Sequence, residues 1–122
     1  MTKGLGNDII EIARIHQTIG RYGSRFYKKI FTQEEVSYCF QHRDPTLCVA
    51  GRFAAKEAIV KALGTGFGKY ISFHDISIEK DGFHRPYPKF SDAVNKQFDS
   101  PQVFVSISHC KSHATAVAIW TS

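Results

Sequence analysis

Four side chains in this sequence have types and positions suited to phosphate chemistry. Asp8 lies within residues 4–12, GLGNDIIEI, whose apolar and β-branched content (Leu5, Ile9, Ile10) predicts a strand. Aspartate is a poor strand former, so a carboxylate there needs a purpose. It either caps a neighbouring backbone group or serves as a hard oxygen ligand for a cation such as magnesium. Glu57 and Lys61 are four residues apart in a segment that reads as helix, so they share a face. Alone, such a pair is a surface contact worth about 0.2–0.5 kcal/mol. Together with Asp8, Glu57 would supply the second carboxylate for one metal ion, and Lys61 a positive charge for phosphate oxygens. His109 closes the run Val105-Ser106-Ile107-Ser108-His109. A strand-end imidazole there bonds a phosphate, shuttles a proton, or is a hydrogen-bonded structural group.

These groups need elements to position them. Residues 11–19 read as a short helix, ended or kinked near Gly20 and Gly23, with residues 24–30 continuing the helical region. Thr32, with Glu35 three residues on, forms a capping box that opens a helix over 33–41. Asp44-Pro45 predicts the start of a long helix running to Leu63, with the proline at its first position. Val49, Phe53, Ala54, Ala58, Ile59, Ala62 and Leu63 give that helix a broad apolar side. Gly64, Gly66 and Gly68 end it in a loop whose backbone can approach a ligand closely. Residues 71–79 alternate as a strand, Asp81-Gly82 marks a turn, and Pro86 and Pro88 confine the next strand to an edge. A short helix over 91–98 and two strands over 102–109 and 113–120 complete the chain. Ala114, Ala116 and Ala118 alternate along the last strand and suit a face packed closely under a helix. The expected architecture is α+β, one domain over residues 1–122, with an antiparallel sheet against one long helix.

Composition narrows the function only broadly. The chain has 122 residues, 43% of them hydrophobic, and a formal net charge of +5, which favours acidic partners or phosphorylated ligands. Arg14, Arg21 and Arg25, spaced by seven and four, would align on one side of a continuous helix, with Lys28 and Lys29 nearby. A basic nucleic-acid-binding module is the alternative reading of that charge. No G-x-S-x-G and no Walker A sequence occurs, so a serine hydrolase and a P-loop ATPase are both disfavoured. Cys39, Cys48 and Cys110 follow no metal-ligand or C-x-x-C spacing and are expected to be free thiols in a reducing compartment. No apolar run approaches the ~18 residues of a membrane span, so a cytoplasmic protein is expected.

The blocks at residues 4–12, 52–66 and 106–109, with Phe31-Thr32-Gln33-Glu34-Glu35, occur in the order found in one family. The sequence resembles the holo-[acyl-carrier-protein] synthases, the short trimeric branch of the 4'-phosphopantetheinyl transferase superfamily. The run from Lys56 to Gly66, KEAIVKALGTG, is the most specific part of the likeness. The resemblance implies the 4'-phosphopantetheinyl transferase fold and a homotrimer with active sites between subunits. It also implies transfer of phosphopantetheine from coenzyme A to a serine of an acyl carrier protein, in support of fatty acid biosynthesis. Adenosine 3',5'-bisphosphate would be the leaving product. By the same resemblance, Asp8 and Glu57 match magnesium-binding carboxylates. Lys61 matches a phosphate-contacting lysine that supports proton transfer, and His109 a histidine near the cofactor phosphates. Gly64, Gly66, Arg43, Arg52 and Lys111 are candidates for holding coenzyme A, and Arg14, Arg21 and Arg25 for the acidic carrier protein. Asn7 departs from a threonine common in the family. The serine proton has two open routes, Glu57 (directly or through water) or a magnesium-bound water or hydroxide near Asp8. A purely structural trimer is a third reading.

Overall fold

The computed structural model, which describes residues 1–122, is organised about the 18-residue helix α4 (Thr46–Leu63). Ten further elements frame it: β1 (Thr2–Glu11), α1 (Ile12–Tyr22), α2 (Ser24–Ile30), α3 (Gln33–Cys39), a 3-10 turn (Phe73–Asp75), β2 (Ile76–Lys80), β3 (Pro86–Phe90), α5 (Asp92–Phe98), β4 (Gln102–His109) and β5 (His113–Thr121). Strands β1, β5 and β4 form an antiparallel sheet in that order, and β2 and β3 pair as a separate hairpin. No helix is long and apolar enough to cross a membrane.

Small residues bring α4 onto the sheet. Ala54, Ala58 and Ala62 are buried against Ala116 and Ala118 of β5, in one core that also takes Ile59, Ile71, Ile76, Ile78 and Val94. A second core, built from Ile15, Tyr27, Ile30, Phe31, Cys39 and Val49, lies under α1–α3. Gly4 and Gly6 share the helix-facing side of β1, and a methyl group at Gly6 would overlap the Ala58 carbonyl oxygen of α4. At Gly4 it would meet the Ala62 carbonyl. Backbone on both sides leaves nothing able to move aside. Gly6→Ala is therefore expected to cost about 3 kcal/mol, at the upper end for overpacking, read as a lowered denaturation midpoint in urea.

Several boundaries differ from the sequence reading for local reasons. Helix α1 runs through Gly20 and breaks at Gly23, where φ is 56°. Helix α4 starts one residue later than expected: Pro45 is the cap, and the Asp44 carboxylate accepts a hydrogen bond from the Thr46 amide at 3.0 Å. Strand β2 begins only at Ile76. The Asp75 carboxylate accepts from the Ser72 amide at 2.8 Å and from Ser91 Oγ at 2.7 Å, folding residues 73–75 into a turn instead of strand. The free-thiol expectation is corrected: Cys39, at the end of α3, and Cys48, in the first turns of α4, form a disulfide with Cα atoms 5.5 Å apart. Cys110 is free and exposed.

Candidate active site

The alternation of β1 decides where Asp8 points. Gly4, Gly6, Asp8 and Ile10 share the side facing α4, whereas Leu5, Asn7 and Ile9 face away and are exposed. Glu57 and Lys61, one helical turn apart, stand over that strand. Lys61 Nζ donates to Asp8 Oδ1 at 3.1 Å and to the Asn7 carbonyl at 3.0 Å. The Asp8 side chain is only 17% exposed, while that of Lys61 remains 52% exposed and open to an incoming anion. Burial pushes the Glu57 carboxyl above its ordinary range. The Asp8 carboxylate pushes it further, and Lys61 partly opposes both. Two carboxylates that repel each other at the edge of one cleft invite a cation.

That cleft, of about 560 Å³, is lined by Asp8, Glu11, Arg14, Thr18, Phe26, Phe53, Glu57 and His113 among others. It continues through Thr18, Phe26 and Phe53 into an apolar groove of about 570 Å³ walled by Tyr22, Ile30 and Phe73, with Arg25 and Lys29 on its rim. No group of three or more His, Cys, Asp or Glu side chains converges to cage a metal. The donor set still fits magnesium, which is commonly held by one or two carboxylates and completes its octahedron with water and substrate phosphate.

Residues 4–118 match the 4'-phosphopantetheinyl transferase superfamily. The chain is 52% identical, over all 122 of its residues and the whole of the relative, to the holo-[acyl-carrier-protein] synthase of Protochlamydia amoebophila. The chain belongs to that superfamily, in its holo-[acyl-carrier-protein] synthase branch. The synthase of Chlamydia muridarum is 46% identical over 95% of this chain and 92% of the relative. Among solved structures, the synthase of Neisseria meningitidis superimposes with a TM-score of 0.92 at 31% identity, covering each chain completely. That of Helicobacter pylori, solved in complex with coenzyme A, gives 0.87 at 36% identity over 96% of this chain and 99% of that one. The α+β fold read from the sequence, with its antiparallel sheet under one long helix, is the fold of these synthases.

One protomer gathers only part of the set that likeness to the synthases predicts. Asp8, Glu57 and Lys61 come together, and His109 does not. His109 ends β4, which is separated from β1 by β5, so it sits two strand spacings (about 10 Å) across the sheet. There it lines a cleft with Glu11, His16, Asp44, Cys110 and Lys111, and a second one with Tyr38, His42, Lys80 and Arg52. Gly64 is the left-handed cap of α4, with φ of 82°, and Gly66 follows at 63°. Arg43 is exposed in the turn before α4.

Arg52 is the unusual cation. It is 4% exposed, its guanidinium lies 4.3 Å from the centre of the Tyr38 ring, and Nη1 donates to Cys48 Sγ at 3.1 Å. Its Nε and Nη2 have no partner. Desolvation lowers its pKa, and an unpaired buried donor is costly, so the site is built for an acceptor. Arg14 opens onto the carboxylate cleft and Arg25 onto the adjoining groove, while Arg21 and Arg25 both bracket the Tyr22 ring, at 5.5 and 5.7 Å.

Sequence reasoning took Glu35 only as a helix cap and gave Lys56 no role. They form a fully buried ion pair, 2.6 Å apart. A signal existed: Lys56 shares a helical face with Val49, Phe53 and Val60, seven, three and four residues away, where a lysine demands a buried partner.

Proposed function

We propose that this protein transfers 4'-phosphopantetheine from coenzyme A to a serine of apo acyl carrier protein, releasing adenosine 3',5'-bisphosphate, with residues 1–122 acting as one catalytic domain in the cytoplasm. The observation that carries the reading is the coupled pair Asp8 and Glu57 under Lys61, in a chain with the fold of the synthases. Transfer requires neutralising the pyrophosphate oxygens, removing the serine proton and holding attacking and leaving oxygens in line. Asp8 and Glu57 would hold magnesium, which supplies Lewis-acid neutralisation of the pyrophosphate when bound. Lys61, tethered by Asp8 and the Asn7 carbonyl, presents its ammonium to the same oxygens. Glu57 would receive the serine proton, directly or through water. Arg14 in this cleft, Arg25 in the adjoining groove and Arg21 on α1 would steer an acidic carrier protein onto α1 and α2.

The Arg52 cleft would take the phosphate at the adenosine end, together with His109 and Arg43, and Gly64 and Gly66 would let the loop approach the cofactor. Arg52→Met should raise KM for coenzyme A about 10- to 100-fold, the worth of a charge-assisted hydrogen bond or two. It should leave KM for 3'-dephospho-coenzyme A unchanged. Because it removes an unpaired buried guanidinium, the variant should also unfold at a temperature no lower than the parent.

The oligomer is a homotrimer in this reading. The sheet face away from α4 exposes Leu5, Ile9, Phe104, Val117 and Ile119, and the register sets Leu5, Ile119 and Phe104 in one row across three strands. Covering that row with a second copy would bring the partner's His109 toward the Asp8–Glu57 cleft. The test of the activity is release of adenosine 3',5'-bisphosphate from coenzyme A, followed by chromatography. It should require both apo carrier protein and a divalent cation. Release in the absence of carrier protein would make the enzyme a hydrolase instead.

A further inference from the structure

Lys56 is 0% exposed, and its ammonium has three partners: the Glu35 carboxylate at 2.6 Å, the Ile30 carbonyl at 2.8 Å and the Phe73 carbonyl at 3.0 Å. Glu35 is equally occupied, accepting from the Thr32 amide at 2.9 Å through one oxygen and from the Ile78 amide at 2.8 Å through the other. A buried pair whose donors and acceptors are all used is worth little as net stability. What it fixes is geometry. Ile30 and Phe73 both line the apolar groove that continues from the carboxylate cleft, one at the end of α2 and the other in the 3-10 turn. Lys56 ties the backbone of each wall to α4 at the residue next to Glu57. A second tie joins the same two segments, where His74 Nε2 donates to the Lys28 carbonyl at 2.6 Å. Phe53 lines the same groove and stacks on Phe73 at 6.2 Å, and Phe73 stacks in turn on Phe67 at 3.8 Å.

We propose that the buried Lys56–Glu35 pair is a positioning device for acceptor docking: it sets the width of the Ile30–Phe73 groove and the placement of Arg25 and Lys29 relative to Glu57. The inference rests on the reading that the carrier protein docks on α1 and α2. Lys56 touches no substrate and acts through the two carbonyls it holds. Loosening them should weaken capture of the carrier protein and leave the phosphate machinery intact. That outcome is a rise in KM for one substrate alone.

The experiment is steady-state kinetics of Lys56→Met, of Lys56→Met/Glu35→Gln, which leaves no unpaired buried charge, and of His74→Ala, which breaks only the exposed tie. Arg25→Glu is measured beside them as the probe of docking itself. The expected result is a KM for carrier protein raised about tenfold by either Lys56 variant and about threefold by His74→Ala. KM for coenzyme A and kcat should stay within about twofold. A KM for carrier protein that stays at the parental value in His74→Ala and the double variant, while Arg25→Glu raises it, overturns the positioning role alone. So does a KM for coenzyme A that rises in step. If Arg25→Glu also changes nothing, the docking reading fails and the inference with it.

Discussion

Glu57→Gln is expected to lower kcat/KM for phosphopantetheine transfer by about three orders of magnitude, near 4 kcal/mol of transition-state stabilisation. In metal-free buffer at neutral pH, it should at the same time raise the unfolding temperature. Both effects follow from one geometry. Glu57 is half-buried beside Asp8, and its pKa is raised above the ordinary 4.5, first by burial and then by the neighbouring carboxylate. A carboxyl whose folded pKa is raised binds more protons in the folded state than in the unfolded one between the two values. Stability therefore falls as pH climbs from the unfolded pKa through the folded pKa, and stays lowered above it. The neutral amide escapes that loss. The gain of Glu57→Gln should be full at pH 7.5 and vanish near pH 3, where the parent is protonated in both states. Magnesium should reverse the order, raising the unfolding temperature of the parent and leaving that of Glu57→Gln in place. Thermal unfolding at the two pH values, with chelator and with magnesium, measures all of this. A parental protein that gains nothing from magnesium would remove the metal from the Asp8–Glu57 pair.

Leu5→Asp/Phe104→Asp should yield a folded monomer with at least a hundredfold less activity. The two side chains are 66% and 57% exposed and lie in one cross-strand row with Ile119. An apolar row on an otherwise uncovered sheet is a liability unless another chain covers it. In the trimer proposed above, carboxylates placed there would have to be buried unpaired, which costs more than the interface returns. Light scattering gives the mass, and far-ultraviolet dichroism shows that each chain keeps its α4–sheet packing. In the proposed trimer, loss of activity follows because His109 lies two strands from Asp8 within a protomer and the site would be completed by the partner's His109. The companion experiment mixes Asp8→Ala and His109→Ala chains, each inactive alone. If sites are shared, random reassembly restores about one quarter of parental activity, because one interface in four combines the two intact halves. No recovery after verified subunit exchange would place the whole site within one chain.

The parts of the fold that could be read from the sequence are those governed by short periods. The alternation of Ala114, Ala116 and Ala118, the Thr32–Glu35 capping box and the glycine after Leu63 each specify a local geometry that the structure contains. That Asp8, Glu57 and Lys61 come together was legible because Asp8 is out of character for a strand and the helical spacing puts the other two on one face. What stayed hidden depends on contacts between distant segments. The closeness of β1 to α4, enforced at Gly4 and Gly6, has no signature within residues 4–12 alone. Cys39 and Cys48 are joined by how α3 turns into α4, and a spacing of nine matches no cysteine pattern. Arg52 was legible as a candidate cation for coenzyme A, but its burial against Tyr38 and its two donors without a partner depend on how α3 packs on α4. Strand order, which no local pattern sets, moved His109 away from the carboxylates.

The most direct test of the central claim is the intact mass of a folded apo acyl carrier protein after incubation with this protein, coenzyme A and magnesium. A gain of one phosphopantetheine per carrier, abolished by chelator and by Asp8→Ala, is the predicted result. An unchanged carrier mass with several apo carriers, in the presence of a trimer that binds coenzyme A, would contradict it.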